Sequence, residues 1–462
     1  MKKGLFPGFI ILLVALSCWS GFSTGCANII PPSGGPRDSI PPRVVDIDPP
    51  DSTVNFRGRR ITISFDEYVD LRDVSNNLFF TPTFENVPKI TVRARSIVIP
   101  FSDSLEPNTT YVLNFGNAIV DVNESNVLQN FTYIFSTGPV LDSLEINGRV
   151  TLAETGGTDT TLLAVLYRDL SDSAVVNKRA PYMTRVDRNG NFRFRYLPQG
   201  AFAIYILGGD GKNRRYNEAQ FFAFSDTTVM AGQEDSVIMY AYKAAPRKAA
   251  GQTPARVPTE DRRLRYTSSV SGQQDLLQDL HLNFQVPLRT YDSTRIGLFT
   301  DSTFNPVPFS SSLDTSGKIL TIRTNWIDSA VYHLVLDSLF ASDTAGRRLQ
   351  ANDTIRFSTK KITDYGELSL RLRNLELERK PVLQFVQSDN VVFSVPLTDA
   401  VFSQALFIPG EYNLRILYDS NGDGKWTPGR FFGGKRQPEI VQPIERTITI
   451  KPDWKNEFEI ML

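Results

Sequence analysis

Two cysteines and two histidines are all that 462 residues contain of the side chains that most readily act as nucleophile, base or soft metal ligand near neutral pH. The histidines, His281 and His333, stand where an internal repeat has Thr62 and Val112, on the strand faces opposite the core residues, and no nucleophile elbow or free cysteine accompanies them. The usual Ser-His-Asp and Cys-His arrangements therefore cannot be assembled, and no enzyme is expected. A charge of one sign is missing as well: Lys+Arg and Asp+Glu number 50 each. Without a basic field nothing attracts nucleic acid, and nothing draws the folded chain to anionic lipid. No hydrophobic run of spanning length follows residue 26.

What is present begins at the N-terminus. Lys2 and Lys3 precede "FIILLVAL", Phe9 to Leu16, an apolar run too short to span a bilayer and typical of a signal peptide. Two cysteines compete for the cleavage position, Cys18 in "ALSC" and Cys26 in "STGC", and each follows a small residue. Ser23 stands where a lipobox usually has Leu, but only Cys26 leads directly into a proline-rich stretch, so residues 1–25 read as signal peptide and Cys26 as the lipidated N-terminus, palmitate among its acyl chains. A secreted chain with an unmodified thiol is the competing reading, and an exposed unpaired thiol is a liability in an oxidising compartment. Residues 26–42 carry Pro31, Pro32, Gly34, Gly35, Pro36, Pro41 and Pro42, which resist helix and central strand. At ~3.1 Å per residue such a tether reaches roughly 50 Å.

From there on the chain alternates apolar and polar residues in short segments bounded by turn residues, the pattern of an all-β fold of antiparallel sandwiches. Ile61, Ile63 and Phe65 face one way, as do Tyr111, Leu113 and Phe115, and Phe131, Tyr133 and Phe135. Only a short helical turn between Glu67 and Asn77 interrupts this.

Internal repeats set the expected organisation. "ITISFDEYVDL" at 61–71 aligns with "LHLNFQVPLRT" at 280–290, Tyr111 with Tyr332, Leu113 with Leu334, and "FSTG" with "FSTK". "FRYLPQGAFAIYIL" answers "ALFIPGEYNLRIL". The chain thus reads as a duplicated pair, A-B-A′-B′: 43–140, 141–243, a linker at 244–261, 262–361 and 362–462.

"CANIIPPSGGPRDSIPPRVVDIDPPDST" followed by "ITISFDEYV" resembles the start of a Bacteroidota outer-membrane lipoprotein family with a bacterial Ig-like domain of the S-layer-protein type. Gly410, Tyr412 and Leu414 in B′ are similar to the strand motif of transthyretin-like or carboxypeptidase-regulatory sandwiches, with Gly200, Phe202 and Ile204 in B. The resemblance implies tandem Ig-like and transthyretin-like β-sandwiches outside the cytoplasm, in structural or binding roles and without a catalytic site.

Two surface patterns remain. Asp followed by Ser or Thr and an aliphatic residue recurs, and its resemblance to the O-glycosylation acceptor of Bacteroidota makes Ser39, Ser104, Ser143, Ser173, Ser329 and Thr354 candidate sugar sites; the same tripeptides also suit turns that lead into strands. In "DSNGDGKW", Asp419, Asn421 and Asp423 occupy positions 1, 3 and 5 of a calcium loop, Gly424 position 6, and Lys425 offers a carbonyl at 7. Arg430 stands at position 12 in place of a bidentate Glu, so the alternative is an Asx-rich hairpin loop that caps its own backbone. No cofactor beyond weakly bound calcium is expected. Asp66-Glu67 make a poor acid/base dyad, since strand neighbours point to opposite faces, and Gln285 and Val286 replace them in A′.

The expected function is that of a lipid-anchored, non-catalytic display module engaging an envelope protein or glycan. An accessory subunit of an outer-membrane transport or assembly complex is the second reading, and a carboxylate hydrolase the third. Ala27 and Asn28 lack the Asp that retains lipoproteins at the inner membrane, and no acidic cluster follows Cys26 as an export signal. The outer membrane, periplasmic face, is preferred.

Overall fold

The computed structural model describes residues 37–84, 86–101, 105–208, 215–244, 263–300 and 303–462. The expected signal peptide, Cys26, most of the expected tether, Ser104 and nearly all of the expected linker lie outside the described residues. With 48% strand and 4% helix the chain is all-β. The one expected helical turn is Val74–Asn77.

Alternation dictates the sandwiches directly. In module A the sheet Val44–Asp48, Arg60–Phe65, Ser96–Pro100, Thr91–Arg93 faces the sheet Thr132–Ser136, Thr110–Asn114, Phe79–Thr81. Ile61, Ile63, Leu113, Tyr133 and Phe135 are fully buried between them. Module A′ repeats the order: Tyr266–Ser268, Leu280–Phe284, Ile319–Arg323, Ser310–Leu313 against a sheet that includes Asp353–Thr359, Val331–Leu336 and Ile296–Thr300. His281 and His333 sit half-buried on the faces turned away from these cores, and His281 Nδ1 meets Thr321 Oγ1 at 3.1 Å.

Modules B and B′ share a second plan. In B, Asn191–Leu197, Leu144–Leu152 and Val237–Ala241 face Tyr182–Arg185, Leu163–Tyr167, Ala201–Leu207 and Phe222–Phe224. In B′, Val401–Phe407, Gly366–Arg373 and Lys455–Met461 face Asn390–Pro396, Pro381–Gln387, Gly410–Tyr418 and Ile440–Ile450. In both modules the first and last strands pair in parallel.

Leu163–Tyr167, "LAVLY", is buried along its whole length. A strand without alternation has both faces covered. One face of its sheet packs on the other sheet of B, with Leu162, Ala164, Leu166, Ile204 and Ile206 between. The other packs Leu163, Val165, Tyr205 and Phe222 against Phe79 of module A and Phe431 of module B′. Module B is therefore the hub on which A and B′ dock. At the A junction Thr83 donates its N–H to Pro181 O at 2.7 Å, Arg185 Nε donates to Asn76 O at 2.9 Å, and the Arg185 guanidinium lies over the Phe79 ring.

Candidate functional site: the loop between B′ and B

The loop that follows strand Gly410–Tyr418 holds every residue of the calcium-type spacing. Asp419, 3% exposed, accepts from the N–H of Gly422 at 2.6 Å and of Gly424 at 2.7 Å. Asn421 Oδ1 accepts from Asp423 N, and Asp423 Oδ1 from Lys425 N, both at 2.8 Å. Gly424 takes φ 74°, the left-handed conformation that position 6 requires. This is the Asx-capped arrangement that the composition also allows.

Glu439, which the spacing argument did not reach, closes the loop from its far end. Its Oε1 accepts from Ser420 N at 2.9 Å and Ser420 Oγ at 2.8 Å, and its Oε2 from Thr427 N at 2.9 Å. Trp426 Nε1 donates to Glu439 O at 2.8 Å. A buried carboxylate is stable only when so supplied with donors. Among the described residues no group of three or more His, Cys, Asp or Glu is placed to hold a metal ion.

The closed loop presents the next stretch to module B. Phe431, 4% exposed, enters between Tyr205, Phe222 and Phe224, at centroid distances of 5.7, 5.2 and 5.0 Å. Gln437 Nε2 donates to Phe224 O at 3.1 Å, and Lys435 pairs with Asp172 at 2.6 Å. Module B answers with its own hairpin: Ala153 O accepts from Val441 N at 2.9 Å. Gly156, at φ 71°, lies so close to Pro443 and Val441 that a Cβ would stand 2.8 Å from Val441 O. Arg415 on that face donates to Gln384 at 2.7 Å. Burial lowers its pKa and the charge of Glu154 opposes the change.

Two further charged sites lie elsewhere. In module A, Asp121 is fully buried and accepts from the N–H of Glu124, Ser125 and Asn126 at 2.6, 3.0 and 2.7 Å. Burial pushes its pKa up, and these donors together hold it below the usual carboxylate range. Glu67 is pushed up, first by burial and then by Asp121, Asp66, Asp38 and Glu124. At the junction of A′ and B′, Asp275 takes Lys360 at 2.8 Å and the Tyr365 hydroxyl at 2.8 Å. Its pKa is lowered because these bonds outweigh burial. These groups tie segments together. Of the candidate sugar sites, Ser39, Ser143, Ser173, Ser329 and Thr354 are all exposed.

A family model described as a bacterial Ig-like domain matches residues 38–137, a span that largely overlaps the expected module at 43–140. No curated protein matches the chain significantly. Among solved structures, the Bacillus anthracis TIE protein is similar at 8% identity over 93% of this chain and 75% of that one, with a TM-score of 0.17. The BcpA major pilin subunit of Bacillus cereus is similar at 9% identity over 69% of this chain and 99% of that one, TM-score 0.17. The S-layer protein rSbsC is similar at 11% identity over 89% and 41%, TM-score 0.16. At these TM-scores the likenesses carry no argument about arrangement or role.

Proposed function

We propose that the chain is a lipid-anchored protein of the cell envelope, non-catalytic, whose β-sandwich modules form a display scaffold with a structural or binding role toward an envelope protein or glycan. The observation that carries this reading is the order of parts: a leader and Cys26, a proline-rich tether, and then an Ig-like domain matched from residue 38. The docking of A and B′ on B supports a scaffold, since buried rings and capped loops are spent on holding modules together. The similar strand orders of A and A′, and of B and B′, support an origin by duplication. In this reading the protein sits in the outer membrane on its periplasmic face, carries O-linked sugar at one or more of the exposed Asp-Ser/Thr sites, and holds calcium at the Asp419 loop only weakly, because its carboxylates already serve backbone donors.

Fractionation with radiolabelled palmitate tests the anchor. Cys26→Ala should lose the label and leave the membrane or remain an uncleaved precursor, whereas Cys18→Ala should do neither. Loss of anchoring in Cys18→Ala would refute the assignment.

A further inference from the structure

Modules A and A′ turn corresponding sheet faces away from their cores. In A that face includes the cross-strand row Phe79, Asn114, Thr132, and Phe79 is buried in module B. The matching row of A′ is Gly297, Val335, Thr354, so the ring that docks A has no counterpart there. One row along, where A has Thr81, Val112 and Ile134, A′ has Phe299, His333 and Arg356.

Phe304 lies against this row, its centroid 5.6 Å from Phe299 and 4.9 Å from His333. It is 47% exposed and stands at φ 55°, a left-handed backbone that a bulky side chain adopts only at a cost. Gly297 makes room for the platform, since a Cβ there would stand 2.5 Å from the Phe299 ring. Arg356 is exposed, and no ion pair joins it to a carboxylate among the described residues.

We infer that Phe299, Phe304, His333 and Arg356 form a binding platform for a sugar that carries a carboxylate, as in a uronic-acid polysaccharide. The half-exposed Phe304 ring, held at 5.6 Å from Phe299 and 4.9 Å from His333, offers one apolar surface to the apolar face of a pyranose. A free guanidinium beside them is the group that pairs with a planar carboxylate through two hydrogen bonds. A protein partner would need roughly 800 Å² on each side, far more than three partly covered rings provide. This assignment rests on the binding role proposed above and names its ligand class.

Calorimetric titration of the purified full chain with oligogalacturonate, and with a neutral oligosaccharide of equal length, tests it. The uronate should bind with a Kd of about 10⁻⁴–10⁻³ M. Phe304→Ala should weaken binding about tenfold, and Arg356→Gln should reduce the uronate to the level of the neutral sugar, with melting temperatures unchanged because both side chains are exposed. Absence of binding by oligogalacturonate and oligomannuronate at about 10 mM, equal binding of charged and neutral sugars, or undiminished binding by Phe304→Ala would overturn the inference. So would a photo-cross-linker at position 304 that captures an envelope protein in place of glycan. The assay is independent of the membrane, so its failure leaves the anchoring by Cys26 to stand or fall on fractionation.

Discussion

Truncating Phe431 to alanine is expected to loosen B′ from B while both stay folded. A buried Phe→Ala change costs about 3–5 kcal/mol, the upper end where the site cannot collapse. Here Phe222 and Phe224 are fixed in a paired strand, but Phe432 lies 4.8 Å from Phe431, is 41% exposed and already packs on Tyr216 at 5.3 Å, so a second ring lines part of the space. The lower end, about 3 kcal/mol, is therefore expected, or roughly two powers of ten in the docking equilibrium. Other ties across the junction include the Gln437 bond, the Val441–Ala153 bond, the Phe432–Tyr216 ring contact at 5.3 Å, the close approach of Gly156 to Pro443 and an ion pair whose partners are 38% and 47% exposed, which adds little. Hydrogen exchange at the Val441 amide reads the docking directly, because that N–H donates across the junction to Ala153 O. Its protection should fall about 100-fold, while amides of Leu163–Tyr167 in the core of B keep theirs. Unchanged protection at Val441 would refute the clamp, and an equal loss throughout B would show that Phe431 supports the module itself.

Asp121→Ala should destabilise module A by about 2–4 kcal/mol in urea unfolding, because three backbone donors lose their acceptor. Since the folded pKa of Asp121 is lowered, its contribution is full above the ordinary carboxylate pKa of about 4 and is lost as pH falls through the lowered value. Asp121→Asn should flatten that part of the acid limb, and an unaltered limb would contradict the assignment. Chelation with EDTA should leave the melting temperature within about one degree, because Asp419 and Glu439 close the loop with protein donors alone. A fall of more than about five degrees would mean that a cation closes it. Chain from its native host should exceed the mass of the lipidated polypeptide, and Ser39→Ala should reduce the excess; a mass equal to the polypeptide would dispose of the sugar at that site.

The sandwich faces were legible because side-chain direction in a strand has period two and needs no distant information. Ile61, Ile63 and Phe65 are buried as their alternation demands. Docking was not legible, because a ring that enters another module obeys no local period. Phe431 sits in "RFFGGKR", which reads as a loop, yet the continuous runs "LAVLY" and "AFAIYIL" carried a usable signal: strands apolar on both faces need a second cover. Glu439 was missed for a related reason, since a calcium-type template looks twelve residues along the chain and this carboxylate returns from the start of the next strand. Asp121 stood in "DVNESN" among many Asp-rich turns, and only its burial separates it from them.

The parallel pairing of first and last strands has a mechanical consequence. In B the register runs from Gly148–Val237 to Leu152–Ala241, so the chain comes in and leaves at opposite ends of the paired strands. Tension between the two ends of such a module slides one strand along the other and strains the interstrand hydrogen bonds together, whereas antiparallel termini would peel apart one bond at a time. A pull between A and A′ passes through B in this shearing geometry. The module that serves as hub thereby shares with B′ an arrangement that resists extension.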